Sequence, residues 1–430
     1  MSSKILIIDD EPGVLATIAD VLRDEGHEAL EASSGEVGLE LFEQHQPDVV
    51  FLDIWLPDRD GLEILRALLE QDPSAAVVMM SGHGTVTTAV KAIKLGAFDY
   101  LEKPVSYGQL TEAARAALED RKRRGGRRRP ASEIAERPEP LSELEPPPEL
   151  PIVRRGRKHQ RTIRRSTVIY GLGLHSGTRT GMVLQPLPPG SGIHFLTLPS
   201  EKVMPAHISE VADTDYATTL VRDGAQVKTV EHLLSALHAY GVTNLLIKVH
   251  GEIPVLDGSA LEFCRALEEA GVEGQRVARR ELVIDREYQV GCGEKKLTLE
   301  PHDGFLVSYQ LSYPAPIGDQ FFEFELDSPD VYKSEIAPAR TFGFMRDLKM
   351  MNELGLGSGG RLDNFILVGE DNVINTELRF ADEFVRHKIL DIIGDLYMLG
   401  FPVRGKVTAR FTGHRDNINI LRAIRDGAAA

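Results

Sequence analysis

Three aspartates stand where apolar runs end. Asp9 and Asp10 follow KILII, and Asp53 closes VVFLD. Short runs rich in Ile, Val and Leu read as buried parallel strands, and in a doubly wound sheet sites form at the carboxyl ends of strands. Carboxylates gathered there repel one another unless a cation joins them. Mg²⁺ suits the set, because it takes a few carboxylates and keeps waters for a phosphoryl group. Ser81 ends the next run and Lys103 precedes Pro104 after a further one. They would bring a hydroxyl and an ammonium to the same rim, to bind phosphoryl oxygens on Asp53.

A second constellation lies in the back half. In HKILD, His387 and Asp391 are four apart. On a helix, positions i and i+4 share one face, so imidazole and carboxylate point the same way, and Asp395 continues that stripe. Two such ligands plus one from elsewhere make a catalytic zinc site with an open position for water. The candidate third ligand is His232 in TVEHLLSALH, and its neighbour Glu231 would be the general base beside it. His238 and His250 have no such partners and read as structural.

These residues need elements to hold them. The chain has 430 residues, enough for two to four domains, and its 42% hydrophobic and 27% charged content excludes a wholly disordered or collagen-like chain. Residues 1–120 carry 23 acidic and 8 basic residues, a net −15; residues 121–165 are +9; the remainder is −10. An acidic front, a basic strap and an acidic back suggest modules joined by a linker. In residues 1–120, strand-like runs alternate with amphipathic helical stretches, the rhythm of a doubly wound α/β domain. From Arg121 the apolar periodicity fails through RKRRGGRRRP, a Pro/Glu segment and RRGRKHQRTIRR, so residues 121–163 read as a charged, Pro-rich linker. Its basic clusters could touch nucleic acid or an anionic membrane face. A solvated tether is the simpler reading, since no helix-turn-helix is visible. Beyond Ser166, strands and helices mix as in an α+β domain or two α+β halves. No apolar run approaches the ~20 residues that span a bilayer, and the N-terminus lacks a signal-peptide pattern, so a cytoplasmic protein is expected. Cys264 and Cys292 read as reduced thiols.

With IIDDE, FLDIWLPDRDG, MMSGHG and GAFDYLEKP in order, residues 1–120 resemble the receiver domain of two-component response regulators. The resemblance implies that Asp53 is the phospho-acceptor and that Asp9 and Asp10 serve Mg²⁺, with Asp10 and Asp53 as metal ligands. It also implies that Ser81 and Lys103 sense the phosphoryl group, that Tyr100 is the switch aromatic, and that a sensor histidine kinase is the phosphodonor. Receivers commonly dimerise, so a receiver-mediated homodimer is one expectation. Trp55, the only tryptophan, would serve as a fluorescence reporter.

YGLGLHSG, DTDYATTL, TVEHLLSALHAYGVTNLLIKV, IPVLDGSALEF, ARTFGFM, ELRFADEFVRHKILDIIGDLYMLG and TGHRDNINIL also follow one another in order. From about Arg165 to Ile424 the chain resembles UDP-3-O-acyl-N-acetylglucosamine deacetylase, the zinc amidase that commits lipid A biosynthesis. The resemblance implies an α+β two-layer fold of two similar halves, here 164–285 and 286–425, with His232, His387 and Asp391 on zinc and Glu231 as base. It makes His414 a protonated histidine that stabilises charge and aids the leaving amine, with Asp395 beside it. Thr341 is the expected oxyanion donor, and Lys388 and Phe342 fall at substrate-binding positions. Lys388 directly follows His387, so it points roughly 100° away around the helix, toward a substrate group rather than the metal. DLKMMNELGLGSGG corresponds to the family's hydrophobic passage for an acyl chain, or is an ordinary helix and turn. YQLSYPAPIG departs from the family's acidic–aromatic pair and His-Pro. His175 is expected near the pocket but not as a ligand.

The implied whole is a receiver fused to a zinc deacetylase acting on a nucleotide-sugar lipid precursor, with Zn²⁺ and Mg²⁺ as cofactors. It would be cytoplasmic, with at most peripheral contact with the inner membrane and no nucleic-acid partner. Two rivals stand beside it: a catalytically silent deacetylase fold used as a signalling scaffold, and a DNA-binding regulator using the basic linker.

Overall fold

The computed structural model describes residues 3–54, 56–81, 92–93, 95–103, 105, 107–124, 144–146, 150–177, 179–197, 202–249, 251–353, 356–361 and 364–428. Trp55, the GHG after Ser81, Pro104 and His250 lie outside them. The chain divides into two compact units, Met1–Glu139 and Pro140–Ala430.

In the first unit, β1 (Lys4–Ile8), β2 (Glu28–Ala32), β3 (Val49–Asp53), β4 (Ala76–Ser81) and β5 (Asp99–Glu102) form a parallel sheet ordered β2-β1-β3-β4-β5. Alternate residues feed opposite cores. Ile5, Ile7, Val49 and Phe51 pack toward α1 (Pro12–Asp24) and α4 (Tyr107–Arg124). Leu6, Ile8, Val50 and Leu52 pack toward α2 (Gly35–His45) and α3 (Gly61–Gln71). Burial on both faces is why β1, β3 and β4 are nearly unbroken apolar runs. The strand order reverses between β1 and β3, which opens a crevice at their carboxyl ends, where the aspartates sit. Gly61 lets α3 start hard against that rim: a Cβ there would lie 2.2 Å from the Asp53 carbonyl oxygen.

The first strand of the second unit is β6 (Val153–Ile163). A five-stranded sheet follows, from β7 (Thr167–Leu172), β8 (Arg179–Pro186), β9 (Ile193–Thr197), β10 (Lys202–Pro205) and, after a small sheet of β11 (Val211–Asp213), β12 (Thr219–Arg222) and β13 (Ala225–Val227), β14 (Leu245–Val249). Its order is β10-β9-β14-β8-β7. Helices α5 (Glu231–Tyr240) and α6 (Leu261–Ala270) flank β14 in sequence. A seven-stranded sheet takes β15 (Val272–Val283), β16 (Tyr288–Cys292), β17 (Lys295–Glu300), β18 (Phe305–Tyr313), β19 (Gly318–Glu325), β22 (Val403–Arg410) and β6. Between β19 and β22 come α7 (Pro329–Glu335), β20 (Phe342–Phe344), α8 (Leu348–Glu353), β21 (Ile366–Val368) and α9 (Glu383–Asp395), and α10 (His414–Ala428) closes the fold. One continuous core joins both sheets. Every residue of α5 is buried, and it packs on α9 so closely that a Cβ on Gly394 would lie 2.0 Å from the Glu231 carbonyl oxygen. That contact aligns the helix carrying His232 with the helix carrying His387 and Asp391.

Two expected boundaries are corrected. The linker does not reach residue 163: Val153–Ile163 is a strand, antiparallel to β15, with Arg154 opposite Glu281 and Val153 opposite Leu282. Its charges hid it, because a strand at a sheet edge pairs through the main chain and can leave Arg and Lys in water. The halves do not part at residue 285 either. Both β6 and β15 belong to the second sheet, where β15 joins β22 through Leu282 and Val283.

His238 is structural, as its lack of partners in sequence suggested. Its ring stacks on Tyr397 at 4.6 Å and on Phe305 at 5.0 Å. Nδ1 donates to the Ile393 carbonyl (2.9 Å), and Nε2 accepts from the Val403 N–H (3.2 Å), which fixes a neutral tautomer. Burial pushes its pKa down to about 4. The unfolded chain therefore binds a proton that the folded chain refuses. The stabilisation is whole above about pH 6.5 and is lost as pH falls toward 4, at a cost of about 3 kcal/mol. Thermal unfolding across pH 7 to 4 should show a shallower loss for His238→Gln than for the unmodified protein.

Candidate active site and receiver pocket

In the first unit, ligand atoms of Asp9, Asp10 and Asp53 all lie within 4.8 Å of one another; Asp9 and Asp53 are buried and Asp10 is exposed. Lys103 reaches in from the end of β5, its Nζ 2.6 Å from both Asp9 Oδ2 and Asp53 Oδ2. Burial works against the Lys103 charge, but the two carboxylates raise its pKa, while burial raises that of Asp9. Ser81 is fully buried at the end of β4, and its hydroxyl has no hydrogen-bond partner among the described residues. Tyr100 sits on β5 opposite Met79 and is half-buried. Thus Asp9, Asp10, Asp53 and Lys103 come together as the sequence suggested, with Ser81 on the neighbouring strand end. The set has three oxygen donors, the chemistry a hard cation requires.

In the second unit, His232, His387 and Asp391 are all buried, with ligand atoms within 4.8 Å of one another. The Nε2 atoms of His232 and His387 lie 3.7 and 3.5 Å from Asp391 Oδ1, and the rings meet edge to face at 4.9 Å. His387 donates Nδ1–H to the Ala339 carbonyl (3.0 Å), which leaves Nε2 with its lone pair toward the cluster. Burial lowers the pKa of both histidines, that of His232 to about 3, so both are neutral donors. Burial opposes the Asp391 charge, but His387, Lys388 and His414 hold it well below the usual carboxylate range. Two neutral imidazoles and one carboxylate, with no fourth side chain among the described residues, fit a catalytic zinc set.

Beside the cluster stand a carboxyl, Glu231, and an imidazole, His414. Glu231 is 2% exposed, accepts the Thr218 backbone N–H at Oε2 (3.1 Å), and is pushed up to about 7 by burial. Burial resists charge on His414, yet Asp395 and Asp391 raise its pKa to about 10. The His414 Nδ1–H donates to Asp395 Oδ2 at 2.8 Å. Asp395 also accepts from Thr218 Oγ1 (2.7 Å) and Asn417 Nδ2 (2.8 Å). Sequence reading missed Thr218 and Asn417. Thr218 lies in DTDYATTL, a segment the sequence singled out, but it meets Asp395 across 177 residues, which no local pattern encodes.

Lys388 departs from expectation. It stands three residues before Asp391 and donates to Asp391 Oδ2 at 3.1 Å. Positions i and i+3 also share a helix face. Phe342 stands 6.2 Å from the His387 ring and 5.5 Å from Lys388 Nζ. It joins Tyr313 and Phe344 in an aromatic group, Tyr313 lying where the family pattern was broken. Thr341 precedes Phe342, and its N–H is held by the Gly258 carbonyl (2.8 Å). Arg340, one residue earlier, is clamped by the buried Glu383 through its N–H (3.0 Å) and Nε (2.9 Å), which fixes the segment whose Ala339 carbonyl orients His387. Met345, Leu348 and Met350, around α8, are exposed. His175 is buried outside the ligand cluster, on a turn whose His175 and Ser176 N–H groups donate to Glu252.

An α/β unit with a strand-end acidic pocket and an α+β unit with a three-donor cluster beside a carboxyl and an imidazole define a receiver-like unit joined to an α+β unit with a metal-type site. Residues 160–426 match the family model of UDP-3-O-acyl N-acetylglycosamine deacetylase, and residues 5–115 match that of the response regulator receiver domain. The chain belongs to that deacetylase family and carries a receiver domain ahead of it. The UDP-3-O-acyl-N-acetylglucosamine deacetylase of Myxococcus xanthus (strain DK1622) is 43% identical over 271 residues, covering 62% of this chain and 86% of that protein. The enzyme of the same name from Anaeromyxobacter sp. (strain Fw109-5) is 42% identical over 62% of this chain and 88% of its own. The receiver domain of NtrX from Brucella abortus is 44% identical over 27% of this chain and 98% of that one, with a TM-score of 0.26.

Proposed function

We propose that this protein hydrolyses the N-acetyl group of UDP-3-O-acyl-N-acetylglucosamine in a zinc-dependent reaction, the committed step of lipid A biosynthesis, and that phosphorylation of Asp53 adjusts its output. The observation that carries the reading is the pairing of Glu231, poised near neutral pH, with a charged His414, both beside His232, His387 and Asp391. Those three residues would hold zinc, which supplies polarisation of the amide carbonyl and acidification of water. Glu231 takes the proton from the attacking water. His414, kept protonated by Asp395, donates to the amide nitrogen as the bond to the acetyl carbon breaks. Acid and base are thus set apart by their surroundings. Thr341 is the donor to the developing oxyanion, and Lys388 and Phe342 meet the substrate, the ammonium suiting a diphosphate. Met345, Leu348 and Met350 offer apolar surface for an acyl chain.

In the receiver, Asp9, Asp10 and Asp53 would hold Mg²⁺, a sensor histidine kinase would supply the phosphoryl group, and Ser81, Lys103 and Tyr100 would read its arrival. A receiver-mediated homodimer accords with this. No helix among the described residues is long and apolar enough to cross a membrane. The reaction would run in the cytoplasm, at most peripheral to the inner membrane. The reading is tested by acetate release from the zinc-loaded full-length protein, with and without a chelator. Chelator-sensitive turnover supports it. Zinc binding without turnover would instead favour the silent scaffold.

A further inference from the structure

The deacetylase family match starts at residue 160, but the chain is already fastened to the second unit well before that. Val153–His159 pair with β15, and Ile152 is buried in the main core. Further upstream, Leu144 packs on a separate apolar patch of Leu187, Leu196, Val203 and Leu246, each under 9% exposed. The Glu145 carboxylate accepts from Arg222 Nη1 (2.8 Å) and Nη2 (3.3 Å), and its carbonyl accepts from His194 Nε2 (3.0 Å). Arg222 also grips Glu210, through Nε (2.8 Å) and Nη2 (2.9 Å). A leucine in an apolar patch and a carboxylate on a paired guanidinium make a built seat for an acidic, proline-containing strand of chain.

Arg222 is the last residue of β12, and Thr218 immediately precedes the first. Thr218 is the residue that holds Glu231 through its N–H and Asp395 through its hydroxyl. A strand of four residues spans only about 13 Å, and β12 is laddered to β11 and β13 on both sides. It is short and stiff, with the seat at one end and the acid–base pair at the other.

We propose that Leu144–Pro146 is the docking segment of the receiver's tether, and that seating it on Arg222 and the leucine patch holds β12 where Thr218 positions Glu231 and Asp395. The tether that leads from the receiver thereby has a physical route to the catalytic groups. Withdrawing the segment leaves Arg222 with Glu210 as its acidic partner among the described residues and uncovers the patch, and β12 is freed to shift. The effect on turnover rests on the deacetylase reading above; the seat itself does not.

The test uses the full-length, zinc-loaded protein with Glu145→Arg, which sets two cations against each other, and separately Leu144→Ser, which removes the apolar anchor. Hydrogen exchange is followed in peptides spanning residues 144–152 and 216–224, alongside zinc content, kcat and KM. The expected result is faster exchange in both peptides and a kcat lowered about threefold to tenfold, with KM and zinc unchanged. Faster exchange at 144–152 with Thr218–Arg222 and kcat unmoved would overturn the proposal. So would a segment that exchanges freely in the unmodified protein, since the patch would then serve another occupant. If no form releases acetate, the deacetylase reading fails, and exchange across β12 alone judges the seat.

Discussion

Glu231→Gln should lower kcat for acetate release by about 10³-fold while zinc stays bound, within the range a positioned general base contributes. The substitution keeps size and leaves a carbonyl oxygen to accept the Thr218 N–H that now bonds Oε2. What it removes is a proton acceptor. Glu231 is fully enclosed, so bulk water cannot take over the task, and burial places its carboxyl close to neutrality, where a base works best at physiological pH. The neighbouring ligands are untouched. His387 keeps its Ala339 partner, and zinc content measured by atomic absorption should equal that of the unmodified protein. His232→Ala is the contrasting variant: it deletes one of three donors, so activity and zinc should fall together. Retained activity in Glu231→Gln would move the base elsewhere and would remove the main support for the proposed mechanism.

How far the sequence reveals these sites depends on how local their encoding is. His387 and Asp391 are visible because helical geometry alone puts i and i+4 on one face. Asp9 and Asp53 are visible because apolar strands end in acids. The links between elements are hidden. Thr218 joins Glu231 to Asp395 through one backbone and one side-chain bond, and neither has a compositional mark. Glu383 clamps Arg340 across 43 residues and so sets the carbonyl that orients His387. Gly394 matters because a helix from the other half of the unit passes against it. The strand β6 was obscured for a different reason. Arg154, Arg155, Arg157 and Lys158 look like a solvated tether, yet strand pairing draws on main-chain groups that every such residue carries. Lys388 shows the limit of angular reasoning from one neighbour: its offset from His387 says nothing of Asp391, three residues on along the same helix, to which Lys388 donates.

Asp53→Ala should reduce phosphoryl uptake from a small acyl phosphate donor in Mg²⁺ from near one per chain to none. In the reaction, an Asp53 carboxylate oxygen forms a bond to phosphorus as the donor's acyl oxygen–phosphorus bond breaks, so the donor leaves as a carboxylate. No other aspartate among the described residues combines a strand-end position at the centre of the sheet with a contact to Lys103. Asp9 Oδ2 and Asp53 Oδ2 both touch Lys103 at 2.6 Å, but only Asp53 ends β3, at the centre of the sheet order and beside the buried Ser81 strand end. Phosphorylation replaces a single negative charge at Asp53 with more. Lys103 and the buried Ser81 hydroxyl then have new oxygens to bond, and Lys103 must loosen its present ion pairs to do so. That exchange of partners is the local event from which any longer-range response has to start. Label on Asp53→Ala at the wild-type level would place the acceptor elsewhere. The same variant also judges the coupling to catalysis. A change in kcat/KM on adding Mg²⁺ and beryllofluoride to the unmodified protein should vanish in Asp53→Ala. Identical kinetics and association state in every one of these samples would mean that the receiver does not set the deacetylase rate within the molecule, whatever the chemistry at Asp53.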